Sequence, residues 1–384
     1  MDETLPLDVS IDRVRVLLDG ESVGWLTLSP SRTLAFSYDR SWLTRGFSIS
    51  PLSLPMREGV FVAQRDPLHG LFGVFDDSMP DGWGRLLTDR VLRQRGLDPY
   101  AVGPLARLSI VGASGMGALE YEPAADIESG IVATDLDDIA NECANLLATD
   151  FSDDLDRLFA LGGSSGGARP KILTQIDGEE WIVKFPSSVD SANIGEQEYR
   201  LSVLARDCGI VMPETRLFPS NQCSGYFGTR RFDRVRDANG ARHKVHMISA
   251  GGLLETSHRI PNLDYGLLMR LTMRICDSAE ECERLYRLMC FNVFIGNRDD
   301  HAKNFSYLYN RTRNVWRLSP GYDLTENPGI NGEHTTSVNG KGRDITIADM
   351  TGIGVKAGIA RSRCVSIAEG IRDRVQDAGF AIRS

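Results

Sequence analysis

The chain has 384 residues, of which 42% are hydrophobic and 25% charged, a composition typical of a globular protein with more than one packed subdomain. Its formal net charge of −9 argues against a protein that binds nucleic acid over its whole surface. No apolar run approaches the roughly 20 residues of a membrane-spanning helix, and the acidic first residues lack the pattern of a secretory signal. Seven scattered cysteines without a CxxC pair predict free thiols in a reducing cytoplasm, with neither a disulfide framework nor a zinc site.

The first elements along the chain have the pattern of a small antiparallel sheet. Residues 11–40 alternate apolar and polar side chains in runs interrupted at DGES and SPSR. A turn at MPDGWG is followed by a helical segment that ends at Gly96. Residues 111–123 return to strand character, and their glycines predict a tight turn rather than a phosphate loop. An acidic helical segment then closes this region.

The pattern changes at Gly162. A glycine-rich turn, a strand, a DGEE hairpin turn and a second strand are followed by an amphipathic helix ending at Gly209 and by two more strands. After about residue 240 the pattern becomes helical. We therefore predict an α+β fold with a β-rich N-terminal subdomain over residues 1–150, a β-rich lobe over 151–238 and an all-helical lobe over 239–384. A β-rich lobe before a helical lobe is the layout of a bilobal kinase, and a generic α+β protein is the alternative.

The segment GNRDDHAKNF, residues 296–305, is the first candidate for chemistry. Asp299 and Asn304 have the spacing of the base and the metal-binding asparagine in a kinase catalytic loop. Asp300 is out of phase with Asn304, so the base is assigned to Asp299. A hairpin predicted between residues 306 and 318 would bring Asp323 back beside Asn304. Since Mg²⁺ prefers oxygen ligands, Asn304 and Asp323 are the predicted metal ligands.

A glycine-rich segment upstream is the candidate phosphate loop. Glycines let backbone N–H groups approach phosphates closely, although the GK[ST] ending of a Walker A loop is missing. The candidate nucleotide-binding residues of this segment are Gly163, Ser164, Ser165, Gly166, Gly167 and Lys171.

Lys184 lies between apolar neighbours on the predicted strand WIVKFP, where a lysine needs a partner. We predict that it contacts ATP phosphates and pairs with Glu198 of the following helix, with Glu196 as the alternative. An edge-strand lysine that faces water is the other interpretation.

His301 has no second histidine at ligand spacing, which argues against zinc. We expect its ring to hold the catalytic loop in place. His301 and Lys303 are also candidate nucleotide contacts.

Taken together, these residues resemble the HipA family of serine/threonine kinases, the toxin halves of HipA–HipB toxin–antitoxin pairs. The resemblance covers nearly the whole chain. Its motifs are GNRDDHAKNFS for the catalytic loop, LSPGYDLTEN for the metal-binding element, GGARPKIL for the phosphate loop, WIVKFP for the lysine strand, RRFDR for the hinge, and LSLPMREG and FDDSMPDGWGR for the N-terminal subdomain.

The resemblance implies a kinase fold of the lipid-kinase-like branch that uses ATP and Mg²⁺. It implies that Asp299 is the base, that Asn304 and Asp323 bind Mg²⁺, and that Lys184 contacts the ATP phosphates. It also implies an adenine hinge formed by Arg230, Arg231 and Phe232, through backbone contacts and the Phe232 ring.

The resemblance further implies autophosphorylation of a loop serine that switches the kinase off, with Ser164 as the matching position and Ser165 adjacent. It implies a HipB-like helix–turn–helix antitoxin as partner, contact with DNA only through that antitoxin, no membrane, and a protein substrate such as an aminoacyl-tRNA synthetase. A small-molecule phosphotransferase and a catalytically inactive pseudokinase that binds the antitoxin are the alternatives.

Overall fold

The computed structural model describes residues 10–125, 135–149, 154–237 and 239–383. The chain divides into two compact units, Met1–Glu196 with Arg216–Met247 and Gln197–Thr215 with Ile248–Ser384. The three sequence-based domain boundaries and the kinase-like lobes stay predictions. Among the described residues no helix is long and apolar enough to cross a bilayer.

The first unit begins with a five-stranded antiparallel sheet in the order β4-β3-β2-β1-β5. Its alternating sequence buries Val14 and Val16 of the first strand, and the two-residue turn Asp19–Gly20 has positive φ at both positions, which suits a tight hairpin. The predicted meander is therefore confirmed. The elements are β1 (Arg13–Leu18), β2 (Glu21–Leu28), β3 (Leu34–Tyr38), α1 (Arg40–Arg45), β4 (Phe61–Val62), α2 (Gly73–Asp76), α3 (Gly82–Gln94), α4 (Pro104–Val111) and β5 (Leu119–Glu122).

A second sheet, in the order β6-β7-β9-β8, follows the helices of the N-terminal part. The elements in chain order are α5 (Leu136–Thr149), α6 (Leu155–Gly162), β6 (Lys171–Ile176), β7 (Glu179–Lys184), α7 (Ile194–Asp207), β8 (Thr215–Phe218), β9 (Tyr226–Arg230), β10 (Arg234–Arg236), β11 (Arg242–Lys244) and β12 (Met247–Ser249). The predicted DGEE hairpin is present, with β6 and β7 paired from Lys171–Lys184 to Ile176–Glu179.

One hydrophobic cluster joins the N-terminal helices to this second sheet. Trp83 and Leu87 of α3 pack in it with Phe159 of α6 and with Ile172 and Trp181 of the sheet, and all five side chains are buried. The second sheet therefore shares its core with helices that precede it in sequence, and the burial of these apolar side chains stabilises both.

The second unit is mainly helical. It contains most of α7, from Gln197 onward. Its further elements are α8 (Ala250–Leu254), β13 (Leu263–Asp264), α9 (Tyr265–Cys276), α10 (Ala279–Ile295), a 3-10 helix (Ala302–Asn304), β14 (Ser306–Asn310), β15 (Val315–Leu318), β16 (Thr336–Ser337), α11 (Ile347–Lys356) and α12 (Arg361–Asp377). α10 is the central helix: Ser278 caps its first turn by accepting from the Glu281 N–H, and its second half is buried.

The prediction of an all-helical C-terminal lobe is wrong. The predicted hairpin between residues 306 and 318 is present as β14 and β15, paired from Tyr307–Leu318 to Asn310–Val315, and β13 pairs with β16 in parallel. The strands form because SYLYN and VWRL alternate buried and more exposed side chains, a period of two that a helix cannot use.

Candidate active site

The segment of the second unit that the sequence predicts to be catalytic begins where α10 ends. Gly296 closes the helix at φ +67, a left-handed conformation that favours glycine. The Asn297 N–H donates to the Asn292 carbonyl at 2.9 Å. Two tight turns follow, closed by the Arg298 N–H to the Gly296 carbonyl at 3.1 Å and by the His301 N–H to the Asp299 carbonyl at 2.9 Å, before the short 3-10 helix at residues 302–304. The helix terminus therefore fixes the start of the loop, and the 3-10 turn fixes its end.

Asp299 and Asn304 are brought together by a direct hydrogen bond. The Asn304 side-chain Nδ2 donates to the main-chain carbonyl of Asp299 at 2.7 Å. Because Nδ2 is held by the protein, the Oδ1 oxygen is the atom that Asn304 has left for a metal ion. The Asn304 side chain thus closes the loop by bonding to the residue five positions before it.

The carboxyl group of Asp299 lies in a shielded, negatively charged setting although the residue reaches solvent. Partial burial raises its pKa, His301 lowers it, and the negative charges of Asp323 and Asp300 raise it further, so that the pKa lies above the ordinary aspartate value. A carboxylate whose ionised form is disfavoured in this way is typical of a site built to receive a cation or a proton.

Asp323 lies close to this loop, as we expected from the hairpin predicted between residues 306 and 318. Its main-chain carbonyl accepts from the Asn297 Nδ2 at 3.4 Å, and its φ is +56, which is uncommon for a residue other than glycine. The preceding Tyr322 hydroxyl donates to the Lys303 carbonyl at 2.6 Å, which ties the two segments together. Strained backbone of this kind is found preferentially at functional sites.

The donor set fits Mg²⁺. Asn304 and Asp323 offer an amide and a carboxylate oxygen, and Mg²⁺ commonly uses one or two protein carboxylates together with phosphate oxygens and water. In the part of the chain that the structure describes, no group of three or more His, Cys, Asp or Glu side chains could hold a metal ion by itself.

His301 and Lys303 lie within the same loop. The Nδ1 atom of His301 accepts from the Lys303 N–H at 3.2 Å and so caps the 3-10 helix, and its ring lies 5.3 Å from the His258 ring. These contacts correspond to the loop-holding role expected for His301, whereas a nucleotide contact by either residue stays a prediction.

The glycine-rich loop of the first unit connects α6 to β6, and its two serines have different environments. Ser165 is 4% exposed, and its hydroxyl donates to the Gly162 carbonyl at 2.6 Å. Ser164 is half-buried, and its hydroxyl donates to the Ser114 carbonyl at 3.1 Å. The Nζ of Lys171 donates back to the Gly166 carbonyl, which folds the loop over the start of the strand.

The start of α3 holds this loop by close backbone contact, which the sequence did not reveal. The Trp83 N–H donates to the Gly167 carbonyl at 2.8 Å, and the carboxylate of Asp81 accepts from the Gly167 N–H. A Cβ atom at Gly84 would lie only 2.1 Å from the Ser165 carbonyl oxygen. The two glycines of MPDGWG were the available signal, because closely packed backbones require residues without side chains.

Lys184 and Glu198 are placed on their predicted elements. Lys184 ends β7, is half-buried, and has its Nζ 5.6 Å from the Phe227 ring centroid, within the range of a cation–π contact. Glu198 lies on α7 and is 2% exposed, whereas Glu196 is half-buried. The ion pair between Lys184 and either glutamate stays a prediction.

Arg231 and Phe232, two of the three predicted hinge residues, have different environments. Arg231 is 3% exposed, and its guanidinium donates to Asp233 at 2.7 Å and to the Gly115 carbonyl at 2.8 Å. Burial alone would raise the pKa of Asp233, but Arg231 and Arg234 hold it below its ordinary value. The Arg231 side chain is thus used in a buried ion network, and the Phe232 ring is partly exposed.

Two regions of the chain match known protein families. Residues 163–379 match the HipA-like C-terminal domain, and residues 14–122 match the HipA N-terminal domain. Two relatives from Sinorhizobium fredii, named "Putative kinase Y4dM" and "Putative kinase Y4mE", are each 27% identical. The first match covers 84% of this chain and 80% of the relative, and the second covers 88% and 83%.

The fold is also similar to that of a solved structure. HipA in the Shewanella oneidensis MR-1 complex of HipA, HipB and operator DNA matches with a TM-score of 0.71 and 17% identity, over 95% of this chain and 89% of that one. At this identity the likeness establishes a shared fold, and its mixed helices and small sheets agree with the α+β prediction.

The contact between α3 and the glycine-rich loop can be tested with Gly84→Ala. The added methyl group would overlap the Ser165 carbonyl, so we expect the loop to be displaced and the protein to lose about 1–3 kcal/mol of stability. Hydrogen exchange over residues 162–171 should become faster. Gly103→Ala is the control, because a Cβ there meets no atom within 4 Å. Equal exchange in both variants would contradict the contact.

Proposed function

Because the chain belongs to the HipA-like family, we propose that it is an ATP-dependent serine/threonine protein kinase and the toxin of a type II toxin–antitoxin pair. The observation that carries this proposal is the arrangement of Asp299, Asn304 and Asp323 around one loop of the second unit. Phosphoryl transfer requires little beyond a positioned base, metal ligands and a phosphate clamp.

In the proposed mechanism Asp299 orients the acceptor hydroxyl and takes its proton. The Oδ1 of Asn304 and the carboxylate of Asp323 would hold Mg²⁺, and the ion would supply positive charge that stabilises the transferred phosphoryl group. Backbone N–H groups of the loop at residues 163–167 and the ammonium of Lys184 hold the ATP phosphates. Asp300 is unsuited to the role of base because its carboxylate is buried and engaged by other side chains.

We further propose that Ser164 is the residue that the kinase modifies in itself. Its hydroxyl is half-buried and makes one hydrogen bond to a main-chain carbonyl, whereas the Ser165 hydroxyl is buried inside the loop turn. A phosphate on Ser164 would carry close to two negative charges, and it would repel the ATP phosphates that the loop binds.

The proposed partner is a HipB-like helix–turn–helix antitoxin, with DNA contacted only through it, and the proposed location is the cytoplasm. The complex in which the similar HipA was solved contains HipB and operator DNA, which supports this partner. The substrate class, a protein such as an aminoacyl-tRNA synthetase, rests on family analogy alone. A small-molecule phosphotransferase is less well supported, because the matched N-terminal domain has no obvious counterpart there.

The proposed base is tested by Asp299→Asn. We expect the rate of γ-phosphate transfer from Mg–ATP to the chain itself to fall at least about 100-fold, because general-base catalysis is lost. The thermal shift caused by Mg–ATP should persist, since the base is not needed to hold nucleotide. Asp323→Asn is the matched comparison and should lose that shift. An Asp299→Asn variant that transfers phosphate at the wild-type rate would exclude Asp299 as the base. If the wild-type protein transfers no phosphate, the result would favour the pseudokinase alternative.

The choice between the two serines is tested by phosphopeptide mapping after incubation with Mg–ATP. Ser164→Ala should remove the phosphate from the loop peptide. Ser165→Ala should still be phosphorylated, although it loses a hydrogen bond worth about 1 kcal/mol. Phosphate on Ser165, or equal labelling of both variants, would contradict the assignment.

A further inference from the structure

Asp300, the neighbour of the proposed base, lies at a junction of buried hydrogen bonds. It is 0% exposed. Its Oδ2 accepts from the Tyr265 hydroxyl at 2.9 Å and from the His334 Nδ1 at 3.0 Å, and its Oδ1 accepts from the Thr336 N–H at 3.1 Å. Its main-chain carbonyl accepts from the Thr336 hydroxyl at 2.5 Å. The donors come from the start of α9 and from the segment that enters β16.

These bonds compensate the cost of burying a charge. An isolated carboxylate inside a protein is strongly unfavourable, and it is retained where several donors surround it. A carboxylate can only accept, so His334 must carry its proton on Nδ1. With three donors on two oxygens, the Asp300 side chain is held in one orientation.

The same network reaches the other side of Asp299. The Asn292 Nδ2 donates to the Tyr265 hydroxyl at 3.0 Å, and the Asn297 Nδ2 donates to the Asn292 Oδ1 at 3.1 Å. Asn297 stands two residues before Asp299, and Asp300 stands one residue after it. The loop is therefore fixed on both sides of the proposed base by a single set of side chains.

We propose that Asp300, with Tyr265 and His334, is a positioning residue that sets the geometry of Asp299; this rests on the proposed kinase function. Asp300 is buried and Asp299 is exposed, so the two neighbouring side chains lie on opposite sides of the loop, and holding Asp300 in one orientation also fixes the direction of Asp299. A misplacement of about 1 Å at a reacting group can reduce a rate 100-fold. The network should therefore affect kcat and not the binding of nucleotide.

The test is Tyr265→Phe, which removes one donor and keeps a ring that packs edge-on against Phe305 at 5.5 Å. We expect kcat for phosphoryl transfer to fall about tenfold or more, with the KM for Mg–ATP changed less than about twofold. The control is Tyr286→Phe. Tyr286 is also 0% exposed, and its hydroxyl donates to the Cys364 carbonyl at 3.2 Å outside this network. That variant should lose similar stability and keep its kcat.

A second pair of variants keeps the test informative if Tyr265→Phe folds poorly. His334→Leu removes the donor to Asp300 and should lower kcat, whereas His334→Asn retains an N–H donor near the same place and should restore most of it. Unchanged kcat in Tyr265→Phe and His334→Leu, or a rise in KM alone, would overturn the positioning role while leaving the kinase proposal standing. A wild type that transfers no phosphate would overturn both.

Discussion

The buried carboxylate of Asp300 is the constraint on which the candidate site of the second unit depends. It joins the start of α9, the candidate catalytic segment and the entry to β16 through hydrogen bonds of 2.9–3.1 Å. Its neighbour Asp299 reaches solvent and has a pKa raised by partial burial and by Asp323 and Asp300. Two adjacent aspartates thus lie in opposite electrostatic environments. One is stabilised by donors, and the other is left with repulsion that a cation or a proton would relieve.

The first unit depends on a contact of a different kind. Its glycine-rich loop is held by backbone groups at the start of α3, where Gly84 leaves room for the Ser165 carbonyl. The residues of α3 belong to the matched N-terminal domain, and the loop begins the matched C-terminal domain. The two matched regions share one hydrophobic cluster around Trp83 and Trp181. The start of α3 therefore holds the loop through its backbone and the Asp81 carboxylate.

The sequence predicted the local structure well wherever periodicity was strong. The N-terminal meander, the β6–β7 hairpin and the β14–β15 hairpin were all visible in alternating side chains and turn residues. The prediction of an all-helical lobe was wrong because short strands between long helices contribute little to the overall pattern of apolar residues. The Asp300 network and the contact at Gly84 could not be predicted, because Asp300 and Tyr265 lie 35 positions apart and Gly84 and Ser165 lie 81 apart. Only packing brings such residues together.

The most direct test of this difference between Asp299 and Asp300 is the free energy of unfolding of the variants Asp299→Asn and Asp300→Asn, measured side by side. At position 300 the amide nitrogen would face donors in either orientation, the Tyr265 hydroxyl and the His334 Nδ1 in one and the Thr336 N–H in the other, so we predict a loss of at least about 3 kcal/mol. At position 299 the amide removes repulsion with Asp323, so stability should be unchanged or higher. Equal losses, or a larger loss at position 299, would contradict the account.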